Sequence, residues 1–231
     1  MSIIAHHLAK KGLGTLVESI HERKPVTDPH IMMMAIGDIF HDRSPLQATQ
    51  FEADIKIADQ LQDLYLEGGG GGNHFESYDL PWAFAAHKTK IDCWDKRQKK
   101  GYLFTMGDEL PPTTADAKTV KAAIGVNTQA DTSASEYLQQ AQERYEVFHL
   151  VIEEGHYARG QVERVTGAWR ELLGKKVIPV SNYKYISEII TSIIEVNEGA
   201  NPDEVINQWP NGDANNAVRH ALYANTQQAA A

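Results

Sequence analysis

Three apolar runs, "IMMMAIG" at 31–37, "GYLFTMG" at 101–107 and "YEVFHLVI" at 145–152, most constrain what this chain folds into. Each has the length of a strand and is apolar on both faces. That composition suits strands covered by helices above and below, as in a parallel sheet, rather than strands with one face in water. A fourth, shorter run, "KKVIPV" at 175–180, follows them. Between the runs the apolar spacing shifts to the 3.6-residue period of amphipathic helices. Leu16, Val17 and Ile20 extend a stripe that begins at Ile3, and Ile55, Ala58, Leu61 and Leu64 make another. Further helices are predicted from about 79 on, at 115–124, at 133–144 with Ser133 and Glu136 at capping-box spacing, at 162–173 ending on Gly174, and at 185–196. "PLQATQFEA" at 45–53 reads as a short edge strand. Strands alternating with helices predict an α/β fold, a three-layer α/β/α arrangement of Rossmann-like kind with a mostly parallel sheet.

At 231 residues the chain is long enough for one generous domain. The boundary is drawn at 1–200 for the α/β domain. Residues 201–231, rich in Asn, Gln and Ala, form a helical or flexible tail with a short helix at 213–224. The 22 basic residues stand against 31 acidic ones, and "DKRQKK" at 95–100 is the one long basic cluster, so nucleic acid is not an expected partner. The single cysteine, Cys93, excludes an intrachain disulfide framework and suits a reducing compartment. No stretch approaches the roughly 18 apolar residues of a membrane span, and the first residues lack a secretory pattern. A cytoplasmic protein without a membrane partner is the expectation.

Ligands of parallel sheets gather at the carboxyl ends of the strands. Asp38, Asp108 and the group Glu153, Glu154 and His156 follow three of the runs. The five glycines 68–72 cost roughly several kcal/mol to order, so an ordered run there implies a backbone that approaches something closely. They follow a helix rather than a strand and lack the Lys–Ser/Thr of a phosphate loop, which argues against a nucleotide cradle. No HExxH or paired Cys/His spacing supports zinc. Asp38, His41 and Asp42 in "GDIFHDR" could hold a metal, though loop polarity explains them as well. No nucleophile sits at a catalytic spacing, so an enzyme is not expected. What remains is an oxygen-rich set, Asp108 with Ser77 and Asn73, of the kind Mg²⁺ takes. The alternative is that Asp108 and Ser77 only cap helices.

The stretches "GGGGGNHFESYDLPWAFAAH", "KKGYLFTMGDE" and "RYEVFHLVIEEG … WRELLGKKVIPV" give the chain an element order that resembles a von Willebrand factor A (vWA) domain over residues 1–198. The resemblance implies a metal-ion-dependent adhesion site fed by three loops. Asp108 matches the third-loop aspartate, in Gly-Asp-Glu where the family has Thr-Asp-Gly. Ser77, or Asn73, stands nearest the second-loop threonine. The first loop, Asp-x-Ser-x-Ser, has no counterpart. In the family the opening strand lies at the sheet centre, between the strands resembling 31–37 and 101–107, and ends in that loop. Met1 then corresponds to the methionine that closes the loop motif, with the strand outside this sequence. A gap between strands 31–37 and 101–107 is the structural expectation.

The resemblance therefore implies a protein-interaction or assembly module with a protein partner, Mg²⁺-dependent through an incomplete metal site. Two alternatives stay open: a degenerate, metal-free A-like domain, and a Rossmann-like nucleotide- or small-molecule-binding enzyme.

Overall fold

The computed structural model describes residues 12–54, 56–65, 76–112, 114–127, 130–209 and 212–224. The glycine run and Asn73 lie outside the described residues. The chain enters by helix α1 (Leu13–Arg23) and then forms a short antiparallel hairpin, β1 (Met34–Ile36) with β2 (Leu46–Ala48). Helices α2 (Ile57–Gln62), α3 (Asp79–Lys88) and α4 (Asp92–Arg97) lead to strand β3 (Gly101–Gly107). A small ribbon, β4 (Thr114–Ala115) with β5 (Thr132–Ser133), brackets α5 (Ala117–Ile124) and precedes α6 (Ala134–Gln142). Strand β6 (Tyr145–Ile152), helix α7 (Val162–Leu173) and strand β7 (Val177–Val180) follow, then α8 (Ile186–Asn197), α9 (Pro202–Asn207) and α10 (Gly212–Tyr223).

The main sheet is parallel, in the order β3-β6-β7. Strand β6 is its centre and is buried almost throughout, because side chains alternate between two helical layers. Tyr145, Val147 and Val151 join the cluster that holds Trp82 of α3, Tyr137 of α6 and Trp169 of α7. Phe148, Leu150 and Ile152 join the opposite cluster, with Leu16 of α1, Ile190 of α8 and Val218 of α10. The α/β class is thus present, with helices on both faces of a parallel sheet.

Local chemistry accounts for most element ends. Ser133 and Glu136 close the capping box at the start of α6, each bonding the other's backbone N–H. Asp116 caps α5 through the Thr119 amide at 2.9 Å. Asn201 caps α9, with Pro202 at the first helical position, where its missing N–H is not needed. Helix α7 stops at Gly174, whose φ of +56° suits a residue without Cβ. The capping role considered for Ser77 is not what it does: Tyr78 occupies the N-cap of α3 and no side chain caps that end.

Helices α9 and α10 pack on the second face of the sheet rather than trailing away. Ile206, Val218 and Ala221 are fully buried with the isoleucines of α8, and Trp209 donates to Ser192 Oγ at 2.8 Å. Their burial follows from apolar positions at helical spacing within an otherwise polar stretch.

The hairpin and the main sheet do not join. Strand β1 pairs only with β2 and β3 only with β6 among the described residues. Residues of β1 and β3 instead line one cavity of about 2020 Å³.

The buried packing of α9 generates a stability prediction. Ile206→Ala should lower unfolding stability by about 2–5 kcal/mol. Denaturant unfolding followed by circular dichroism should show one shifted, cooperative transition. A separate low-stability step with the main transition unmoved would make residues 201–224 an independent appendage.

Candidate functional site

The carboxyl ends of β1 and β3 meet at one rim. After β1, Gly37 accepts the Ser77 amide on its carbonyl at 3.2 Å, and the Ile39 amide donates to Ser77 Oγ at 2.9 Å. Ser77 is therefore buried and fixes the loop after β1 to the start of α3. In that loop Asp38 accepts the Phe40 amide at 2.8 Å and pairs with His41 Nδ1 at 2.5 Å, while its own N–H donates to Asp42 at 2.7 Å. The Asp38, His41 and Asp42 cluster is thus a self-bonded turn.

After β3, Asp108 Oδ2 accepts the Tyr157 amide at 2.7 Å, which ties this end to the loop after β6. Glu109 accepts from the Tyr78 hydroxyl at 2.8 Å, and its carbonyl accepts the Trp169 indole N–H at 3.0 Å. The loops after β1, β3 and β6 are thus tied together through Ser77 and Tyr78 at the start of α3 and through Asp108. Close approach is required: a Cβ on Gly107 would overlap the Tyr78 hydroxyl, and one on Gly155 would overlap the Asp108 side chain.

The sequence-predicted residues occupy this rim differently. Asp108 and Ser77 both belong to it, each already serving a backbone donor, and Asn73 lies outside the described residues. Glu153, Glu154 and His156 do not form a reactive group. Glu154 accepts the Tyr183 amide at 2.9 Å and Glu153 pairs with His220 at 3.2 Å. Among the described residues, no group of three His, Cys, Asp or Glu is placed to hold a metal ion.

Sequence reasoning missed Glu76 and Glu109. Burial, together with Glu109, Asp42, Asp38 and Asp108, pushes the Glu76 carboxyl from its ordinary 4.5 up to about 8. Its Oε2 is buried without a hydrogen-bond partner. Burial and Asp108 raise Glu109 as well. Five carboxyl groups thus share one rim, and the charges that most raise Glu76 are Glu109, Asp42, Asp38 and Asp108. The available signal was "GDE" after one strand and "FES" before a helix, too common to single out.

Beneath the rim lies an aromatic stack. His149 of β6 is fully buried and stacks on Trp169, ring centroids 3.5 Å apart and planes nearly parallel. Its Nδ1 bonds Thr105 Oγ1 at 2.8 Å, and Tyr78 meets both rings edge-on. Burial holds His149 well below its usual pKa, so it is a neutral core residue.

A scan against protein-family models and searches of curated proteins and of solved structures each return no match.

The rim generates a pH prediction. With Glu76 at about 8 folded and 4.5 unfolded, the folded chain binds more protons between those values. Stability contributed by the neutral carboxyl is present below about 4.5 and is lost as pH rises through 8. Glu76→Gln should flatten this part of the profile. Melting temperatures of the two proteins from pH 5 to 9 should diverge on the alkaline side, the variant being the more stable. Parallel profiles would mean that Glu76 titrates normally.

Proposed function

We propose that this chain is a protein-interaction or assembly module of the von Willebrand factor A type, working in the cytoplasm without chemistry of its own. Its working face is the carboxylate rim at the ends of β1 and β3. The observation that carries this reading is the interrupted strand order, β2-β1, then the cavity, then β3-β6-β7. In the A-type sheet the opening strand lies between the counterparts of β1 and β3, and here the cavity takes that place. Asp108 lines that cavity, which supports reading it as the counterpart of the family's third-loop aspartate.

The metal-dependent form of the proposal sets Mg²⁺ against Asp108, with Ser77 and Asn73 as further ligands. The described residues do not make such a site by themselves, since Asp108 Oδ2 and Ser77 Oγ accept backbone N–H groups and no three-residue ligand group exists among them. Mg²⁺ would therefore need oxygens from a partner or from outside the described residues. The metal-free form takes precedence: basic groups of a partner neutralise the rim. Like charges crowded in a partly dry site favour a positive visitor of either kind.

Thermal melting during a Mg²⁺ titration separates the two forms. For the chain alone we expect no saturable rise in melting temperature. A saturable rise that Asp108→Ala removes would establish the metal-dependent form. A nucleotide panel in the same assay tests the Rossmann-like alternative, and clear saturable stabilisation by a nucleotide would defeat the interaction reading.

A further inference from the structure

The cavity that β1 and β3 line is walled by both strands and by both helical layers. One wall is β3, whose seven residues bond to β6 on one side only among the described residues. Strand β1, bonded to β2, lines it as well. Leu16, Ile20 and Ile190 line it from one helical layer, and Tyr78, Pro81 and Ala85 from the other. A seven-residue strand with neighbours ~4.8 Å away and layers ~10 Å apart occupies about 1,100 Å³. The cavity, at about 2020 Å³, holds one such strand with its flanks. Two backbone edges facing a space between apolar layers are what an extended peptide satisfies by strand addition.

The two ends of the cavity differ in charge. Both β1 and β3 point their carboxyl ends at the acidic rim, so they run in the same direction. Asp42, Glu76, Asp108 and Glu109 line that end. Arg159 and Arg164 line the same mouth, bonded to the Glu154 carbonyl and to Gln161. At the amino end of β3 the lining carries Lys90, Arg97, Lys99 and Lys100 against Asp28 and Asp92. Lys99 pairs with Glu198, and Lys100 bonds the Gln142 carbonyl and pairs with Glu146 at 4.0 Å. Asp92 pairs with Lys96 and feels Arg97 as well.

We infer that this slot docks one extended strand of a partner protein, about seven residues long and apolar on both faces. The strand runs parallel to β3, with acidic residues before it and basic residues after it. The apolar requirement comes from the two helical layers, the direction and flanks from the opposed charges. The inference rests on the interaction-module reading and names the partner's chemistry.

The probe is a fluorescein-labelled peptide of two acidic, seven β-branched apolar and two basic residues, titrated into the 231-residue chain by anisotropy. A second peptide has the flanks exchanged, and a third is N-methylated at alternate apolar residues. Saturable binding of the first peptide is expected, with a raised melting temperature. The exchanged peptide should bind at least about tenfold more weakly, and high salt should narrow that gap. The N-methylated peptide should not bind, because its backbone donors are removed. Ile36→Glu should weaken binding; should that variant not fold, the peptide comparison on the unaltered chain still decides.

Equal affinity for the two flank orders, or binding of the N-methylated peptide, overturns the inference. So does binding of the exchanged peptide only with Mg²⁺, which assigns the strand's trailing end to a metal. A dimer in sedimentation that the first peptide dissociates makes a second copy the occupant and overturns it too. If no peptide binds while the chain shows the Asp108-dependent Mg²⁺ response, the slot inference fails and the interaction-module reading stands. Stabilisation by a nucleotide instead removes both.

Discussion

A parallel strand has two edges, and the backbone groups on each must find partners. Strand β6 satisfies both, through β3 and β7. That double pairing is why its eight residues can be apolar on both faces and still anchor two helical layers. Strand β3 satisfies one edge among the described residues, and β1 meets only β2. The apolar layers continue past β3 on both sides, so the space beyond the edge left unpaired among the described residues is walled by side chains. The rim and the cavity both border this break in the hydrogen bonding of the described residues.

The rim is also where the fold concentrates its electrostatic stress. Asp108 and Ser77 hold loops in place, and their oxygens are occupied by backbone donors. Glu76 and Glu109 carry the displaced proton affinities instead. Structural carboxylates thus sit beside ones whose charge is suppressed, and the second pair has most to gain from an arriving cation. Gly107 and Gly155 make this crowding possible, since any Cβ there would push Tyr78 or Asp108 aside.

Elements that carry their own local signal were legible in the sequence. Strands β3 and β6, the capping box at Ser133 and the Gly174 stop of α7 are where apolar runs, cap residues and a glycine place them. Strand β1 is shorter than the apolar run 31–37, because pairing needs a neighbour and only β2 supplies one. Helix α9 was missed, its six residues being too short for a period to emerge. The helical pattern from about 79 through Ile91 did not show the extended break at Thr89 and Ile91 that separates α3 from α4. For the site, Asp108 and Ser77 were legible as a strand end and a helix approach. Their bonds to Tyr157 and Ile39 were not, since such contacts join segments 38 and 49 residues apart. Glu76 and Glu109 were invisible because their burial and mutual repulsion exist only once β1 and β3 end together.

Trp169 gives the molecule a built-in optical reporter. Its ring lies against neutral His149 at the sheet centre, and its indole N–H is held by the Glu109 carbonyl at the rim. One chromophore therefore touches both the central strand and the carboxylate rim. The imidazole it rests on gains a proton only when the core opens, so the local polarity around this indole changes together with the integrity of the sheet. Trp82 packs edge-on at 6.0 Å, near enough to exchange excitation with it. The emission of this pair is coupled to what happens at the acidic end of the fold without any label being attached.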